Sequence, residues 1–272
     1  MPVLESPGPA VPVRDVTDDE IVFFRANGWA RLPALVVPEF VTDLRDRALT
    51  RLRGREERPR TSYVDRAFGQ DRDIAEHDEA FRALALSPRI ARNAVRLMTG
   101  VEAVRLQVTN LLVKEPAGSD EHGDGHGATV FHQDFPWMPM DRSAMLTVWL
   151  ALADVPADMG SLRFYNRSHL HGTLGRSFVR DGDDAPSQHP WLTALELSPP
   201  LDLAAGDATV HSSLVVHGAP ANRRDEPRLS FTATYFDAAA LYTGAPYGQT
   251  DDLGLEVNRP FEHPRFPLVP AA

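Results

Sequence analysis

The spacing of apolar positions changes once along the chain, near residue 100. Before that point it is helical. Thr17-Asp18-Asp19-Glu20 reads as a capping box, in which the Thr17 hydroxyl accepts from the Glu20 N–H and the Glu20 carboxylate from the Thr17 N–H. Val16 and Ile21 flank it as a hydrophobic staple, so a helix is expected to about Ala26, stopped by Gly28. Residues 29–37 read as extended. A second helix starts near Pro38, carries Phe40, Val41, Leu44, Ala48, Leu49 and Leu52 on one face, and closes at Gly54. Residues 55–73 are charged without a period and read as loop. Residues 75–86 read as a helix. Ser87-Pro88 opens another, which carries Ile90, Ala94, Val95 and Leu97 to a stop at Gly100.

After residue 100 the period is two. Residues 104–108 alternate and 111–113 continue the strand; further strands are expected at 129–133, 145–152, 162–165, 208–211, 214–216 and 229–236. Short strands in series, separated by turn residues, point to a sandwich or barrel. The fold predicted is mostly β with supporting helices, in one domain over 16–272. Residues 16–100 form the helical support and 101–240 the β core. Residues 1–15, with Pro2, Pro7, Pro9 and Pro12, are expected to be a flexible tail. The polar insertion at 171–198 suits a lid loop, and the proline-rich 241–272 a C-terminal extension over the surface.

Composition narrows the chemistry. The 272 residues carry a formal net charge of −10, which argues against a nucleic-acid partner. No run of 18 apolar residues occurs, so no membrane span is expected. The first residues lack the basic and apolar pattern of a secretory leader, and a cytoplasmic location is expected. There is no cysteine, so a metal would be held by His, Asp or Glu. Lys114 is the only lysine, a bias read as genome composition.

His132-Gln133-Asp134 offers an imidazole and a carboxylate two residues apart; on a strand both face one way. His217 adds a second imidazole from elsewhere. Two histidines and one carboxylate with open positions suit non-haem Fe(II), whereas structural zinc sites are closed by four protein ligands. Arg228 opens a β-rich run, 229–235. Facing inward, it needs an anion such as the carboxylate of a co-substrate; facing outward, it would pair with Asp225 or Glu226. Phe135, Trp137 and Met138 follow Asp134 directly and suit either the mouth of a site for a small hydrophobic molecule or ordinary packing. His122 and His126 lie in an acidic, glycine-rich loop and read as solvated rather than as a second metal site. His211 is assigned a core role or a place behind the metal ligands.

The ensemble resembles the phytanoyl-CoA dioxygenase family of Fe(II)/2-oxoglutarate oxygenases. The segments that carry the resemblance are 16–20 with 28–33, Lys114-Glu115-Pro116 leading to His132-Gln133-Asp134, 147–154, 160–163, Ser168-His169, and Gly206-Asp207 through His217-Gly218, Asn222 and Arg228. It implies a double-stranded β-helix, a jelly-roll or cupin-like core. It implies Fe(II) on His132, Asp134 and His217, with 2-oxoglutarate and O2 as co-substrates. Arg228 would grip the distal carboxylate of 2-oxoglutarate, with Trp149, Gln107 and Thr109 or Asn110 as further contacts. Where the family has Pro-Gly-Ser-His, this chain has Tyr165-Asn166-Arg167-Ser168-His169. That departure makes Arg163 and Tyr165 candidate substrate contacts, beside Phe135, Trp137 and Met138. Halogenating relatives replace the carboxylate ligand with a small residue, so Asp134 argues against halogenation.

The function expected is therefore oxidation of an unactivated C–H bond in a small molecule, as in natural-product tailoring. Hydroxylation is the default; cyclisation, desaturation and epimerisation begin in the same way. The alternatives are a metalloenzyme of this fold without 2-oxoglutarate, and a non-catalytic small-molecule-binding relative. The sequence leaves the oligomeric state open.

Overall fold

The computed structural model describes residues 11–53, 63–118, 126–176 and 184–271. Helix α1 (Asp18–Asn27) begins with both capping-box bonds made and ends at Gly28, whose φ of 84° is left-handed. Strand β1 (Trp29–Leu32) follows, then α2 (Pro38–Arg53), which buries Val41, Leu44 and Ala48. Next come α3 (Tyr63–Ala67) and strand β2 (Gly69–Arg72), in the stretch read as loop. The single helix expected at 75–86 is two, α4 (Ile74–His77) and α5 (Glu79–Ala85). Asp78 divides them: its backbone is extended, and its carboxylate accepts from the N–H groups of Ala80 and Phe81 to cap α5. Helix α6 (Pro88–Leu97) completes the helical layer.

The rest is β: β3 (Val104–Lys114), β4 (Thr129–His132), β5 (Met145–Ala151), β6 (Arg163–Phe164), then α7 (Ala185–Gln188), β7 (Ala208–Ser212), β8 (His217–Ala219), β9 (Arg228–Asp237) and β10 (Leu268–Val269). One sheet runs β1-β7-β5-β9-β3-β10, with β2 also paired to β3; the other runs β4-β8-β6. The pairings between these strands are antiparallel. The two sheets enclose one cavity, as a double-stranded β-helix does.

Alternation along β9 divides the large sheet into two faces. Leu229, Phe231, Ala233 and Tyr235 join the main core with Phe81 and Leu84 of the helices. The Phe81 and Phe231 rings lie 5.1 Å apart, and Tyr235 donates to the Ala85 carbonyl at 2.8 Å. Burial of each large apolar side chain there contributes about 1.5–3 kcal/mol. Arg228, Thr232 and Thr234 face the cavity.

Other boundaries also move. The fixed chain starts before residue 16: Val13 is buried and bridges to Val36, and Val37 donates to the Pro12 carbonyl. The C-terminal extension does more than cover the surface, because Phe261 and Phe266 are buried against Phe236 and β10 pairs with β3. Within 171–198 the described residues include α7 and a helical turn at Pro190–Ala194, with Leu192 buried beside Tyr165 and Val216. His122 lies outside the described residues. His126 is buried, and its Nδ1 accepts from the Glu115 N–H at 2.7 Å.

Candidate active site

His132 ends β4 and His217 begins β8, where the two are register partners with ring centroids 4.2 Å apart. His132 Nδ1 lies 2.8 Å from the Val130 carbonyl and His217 Nδ1 lies 3.1 Å from the Val215 carbonyl. A carbonyl only accepts, so each Nδ1 carries the hydrogen and each Nε2 offers a lone pair. The strand expected over 129–133 stops at His132, so alternation does not aim Asp134. Asp134 has helical backbone angles (φ −78°, ψ −35°) and leads into a single turn, Phe135–Trp137. Its N–H is held by the Ser213 carbonyl at 3.1 Å. That turn swings its Oδ1 to 3.6 Å from His132 Nε2 and 3.8 Å from His217 Nε2. The strand expected at 214–216 instead begins at His217 itself. Gln133 points away from the centre; its side-chain amide bonds the Gly172 and Leu214 carbonyls and the Leu174 N–H.

Among the described residues, His132, Asp134 and His217 form the metal-capable cluster, their donor atoms all within 4.8 Å of one another. Burial alone would raise the Asp134 pKa, but the surrounding histidines, His217 foremost, hold it well below the usual carboxylate range. Burial, reinforced by His211 and His132, pushes His217 well below the usual imidazole range. A carboxylate for Asp134 and a neutral imidazole for His217 are the protonation states that ligands to a divalent iron need.

Farther along the cavity Arg228 opens β9, only 2% exposed. It donates to the Gly160 carbonyl and lies 5.2 Å from the Trp149 ring centroid. Among the described residues no carboxylate pairs with it, and its Nε has no partner. Asp225 and Glu226 do not reach it. Burial lowers its pKa to about 10, so it stays charged at neutral pH. The side chains of Trp149 (Nε1), Thr209 and Ser230 are likewise buried without partners. Lys114, the register partner of Arg228, donates to the Gly127 carbonyl at 2.6 Å and lies 3.2 Å from Thr129 Oγ1. Burial, helped by Arg228, pulls its pKa to about 6, which leaves Arg228 as the charge at this end. A buried guanidinium with unmet donors around it fits a carboxylate ligand.

The cavity holds about 440 Å³. Of the expected contacts, Trp149, Gln107, Asn110, Trp137 and Met138 line it. Thr109 does not: its hydroxyl accepts from the Ala75 N–H on the helical side of the sheet. A β-bulge between Leu106 and Val108 reverses the alternation, so that Gln107 and Asn110 share a face. Phe135 packs with Met140 and Phe236. Arg163 donates to the Ser198 carbonyl, and Tyr165 packs on Phe131 at 5.0 Å. None of the three lines the cavity. The departure at 165–169 bonds to β1 and to the residue before β8: Asn166 accepts from Trp29 Nε1 at 2.7 Å and Ser168 Oγ from the Val216 N–H at 2.8 Å. Sequence reading missed Phe68 just before β2 and Arg72 at its end, Tyr247 in the C-terminal extension, and Thr147, Thr232 and Thr234. The threonines could have been found from strand alternation. The others come from segments without a readable period.

A family model described as phytanoyl-CoA dioxygenase matches residues 24–230. The Mus musculus phytanoyl-CoA dioxygenase domain-containing protein 1 is 26% identical over 169 residues, 60% of this chain; the chain spans about half of that protein, 55%. Phytanoyl-CoA dioxygenase 1 of Oryza sativa subsp. japonica is 25% identical over 245 residues, 76% of this chain and 84% of that one. Among solved structures, the epimerase SnoN in complex with Fe3+, alpha ketoglutarate and nogalamycin RO superposes with a TM-score of 0.76 at 30% identity, over 93% of this chain and 98% of that one. The carbocyclase SnoK from nogalamycin biosynthesis gives 0.76 at 27% identity, over 96% and 100%. With a family match across most of its length and these relatives beside it, the chain belongs to the phytanoyl-CoA dioxygenase family.

Proposed function

We propose that this chain is an Fe(II)/2-oxoglutarate-dependent dioxygenase that oxidises an unactivated C–H bond of a small, largely apolar molecule in natural-product tailoring. The observation that carries this reading is the sharing of one cavity by the three-donor cluster and by the unpaired, buried guanidinium of Arg228. When bound, iron with 2-oxoglutarate and O2 supplies the oxidant for the C–H bond. His132, Asp134 and His217 would hold the metal. Arg228 would take both oxygens of the distal carboxylate, with Trp149 Nε1, Asn110 and Gln107 available to further oxygens. Trp137, Met138, Phe68 and Tyr247 form an apolar and aromatic wall that excludes water and orients the substrate. Arg176 braces that wall, its guanidinium 5.0 Å from the Trp137 ring centroid.

The relatives support the substrate class. SnoN, an epimerase, and SnoK, a carbocyclase, belong to nogalamycin biosynthesis, and SnoN is solved with iron, alpha ketoglutarate and a nogalamycin. Hydroxylation is the default outcome; epimerisation and ring closure differ from it only in how the substrate radical is resolved. No described helix is long and apolar enough to cross a membrane. The acidic chain suits a cytoplasmic enzyme with a small-molecule partner.

The test is release of succinate from 2-oxoglutarate by the iron-loaded protein, screened against small, largely apolar natural products, nogalamycin RO included, with product structures determined. Turnover should rise with the true substrate. Arg228→Ala should retain iron and lose 2-oxoglutarate turnover. Undiminished turnover in that variant, or no succinate from wild-type protein, contradicts the proposal.

A further inference from the structure

We propose that His211 is a positioning residue which, with Thr147, pins the outer oxygen of Asp134 so that the carboxylate offers a single oxygen to the metal. The inference rests on the metal reading above and assigns a task to a third histidine that the ligand set leaves unused.

His211 lies on β7, directly across from Thr147 on β5, and Thr147 is in turn across from Thr234 on β9. Cross-strand partners present their side chains on one face, so the sheet register places three polar groups in a row beside Asp134. His211 Nε2 is 3.3 Å from Asp134 Oδ2, and Thr147 Oγ1 is 3.1 Å from the same oxygen. Thr147 and Thr234 hydroxyls are 2.9 Å apart. Thr147 has one hydroxyl hydrogen, which goes to the carboxylate. It therefore accepts from Thr234, and the chain of donation runs Thr234 to Thr147 to Asp134.

The tautomer of His211 follows from its surroundings. Its ring is buried, 2% exposed, and its Nδ1 has no partner. A carboxylate oxygen only accepts, so the hydrogen sits on Nε2. That arrangement leaves only a lone pair unmet at Nδ1, rather than a buried N–H. His132 and His217 are the reverse: their Nδ1 hydrogens go to the Val130 and Val215 carbonyls, and their Nε2 atoms turn toward Asp134 Oδ1. Two histidines are set to ligate and one is set to donate. His211 also falls outside the cluster whose donor atoms lie within 4.8 Å of one another.

The consequence is stereochemical. With Oδ2 held from two sides, Oδ1 alone faces His132 and His217. A metal held by His132, His217 and one oxygen of Asp134 would keep more room for a chelating 2-oxo acid and dioxygen than one gripped by both carboxylate oxygens.

The experiment measures Co(II) affinity and the Co(II) visible spectrum, whose intensity reports coordination number, for wild type, His211→Leu and His211→Gln. The Gln side chain can return an N–H donor to the place of Nε2; Leu cannot. His211→Leu should bind Co(II) about 10–100-fold more weakly, with an altered spectrum, and His211→Gln should stay within a few-fold of wild type. Wild-type affinity and spectrum in the Leu variant overturn the proposal. So does a Gln variant as weak as Leu, because the ring would then act only by packing. If the Leu variant does not fold, Thr147→Val, which removes the other donor at nearly constant shape, decides: weakened Co(II) binding supports the pin and unchanged binding overturns it. Wild-type protein that binds Co(II) but shows no spectral response to 2-oxoglutarate counts against the co-substrate reading alone, since the comparison of variants is still read from the metal. Wild-type protein that binds no metal overturns both.

Discussion

Along β9, Leu229, Phe231, Ala233 and Tyr235 turn toward the helices, while Arg228, Ser230, Thr232 and Thr234 turn the other way. On the helical side two polar side chains of the sheet are paired: Tyr235 donates to Ala85, and Thr109 accepts from Ala75. On the cavity side Arg228 Nε, Trp149 Nε1, Asn110 Oδ1, Thr209 Oγ1, Ser230 Oγ and His211 Nδ1 have no partner. Each unmet buried polar atom costs about 1–3 kcal/mol. One sheet thus carries the protein's stability on one face. On the other it keeps polar groups, of which Arg228, Trp149 and Asn110 line the cavity where a ligand would meet them. Strand alternation permits this separation at single-residue spacing.

The comparison can be broken first at the metal. His217→Ala should weaken Fe(II) or Co(II) binding by more than about 100-fold, the upper range for residues behind the ligands, and leave a folded chain. Metal titration with far-UV circular dichroism checks both halves. The opposite face should respond in the opposite way. Phe231→Ala should destabilise by about 3–5 kcal/mol in denaturant unfolding, while the fraction that remains folded binds metal with wild-type affinity.

Lys114 sits between these regimes, buried yet bonded to Gly127 and Thr129. Burial lowers its folded pKa to about 6, far below the ordinary lysine value of 10.5. Between those values the unfolded chain holds a proton that the folded chain does not, so stability contributed at this site rises with pH. The stability of wild type minus that of Lys114→Met should therefore climb from pH 7 to 9, by at most about 1.4 kcal/mol per pH unit. A flat difference would mean that the amine keeps its proton in the fold. The smallest effect is expected at Thr209→Val. Removing an unpaired buried hydroxyl should leave stability unchanged or raise it by up to about 1 kcal/mol, whereas a satisfied hydroxyl would cost stability when removed.

Much of this division was legible in the sequence. The capping box at Thr17 and the period change near residue 100 stand where local pattern put them, and the residues that the motif singled out, His132, Asp134 and His217, come together, with Arg228 buried. What was not legible depends on pairing rather than on local order. The bulge after Leu106 reverses parity and exchanges Thr109 for Asn110, a one-residue effect that alternation cannot foresee. β2, Gly-Gln-Asp-Arg, has no apolar run and is a strand because β3 pairs with it. Asp134 reaches the centre through a turn rather than a strand, and His211 gains its task only when β7 lies beside β5. The departure at 165–169 looked like a substrate contact because it stands near the motif in sequence, yet its bonds run to Trp29 and Val216.

The central claim is that one cavity joins a metal to a carboxylate-binding arginine. Its most direct test is anaerobic titration of the Fe(II)-loaded protein with 2-oxoglutarate, followed by visible absorption. The expected result is a charge-transfer band that saturates at one co-substrate per chain and that requires far more 2-oxoglutarate in Arg228→Ala. Absence of the band in wild-type protein, or an identical titration in the Arg228 variant, would contradict it.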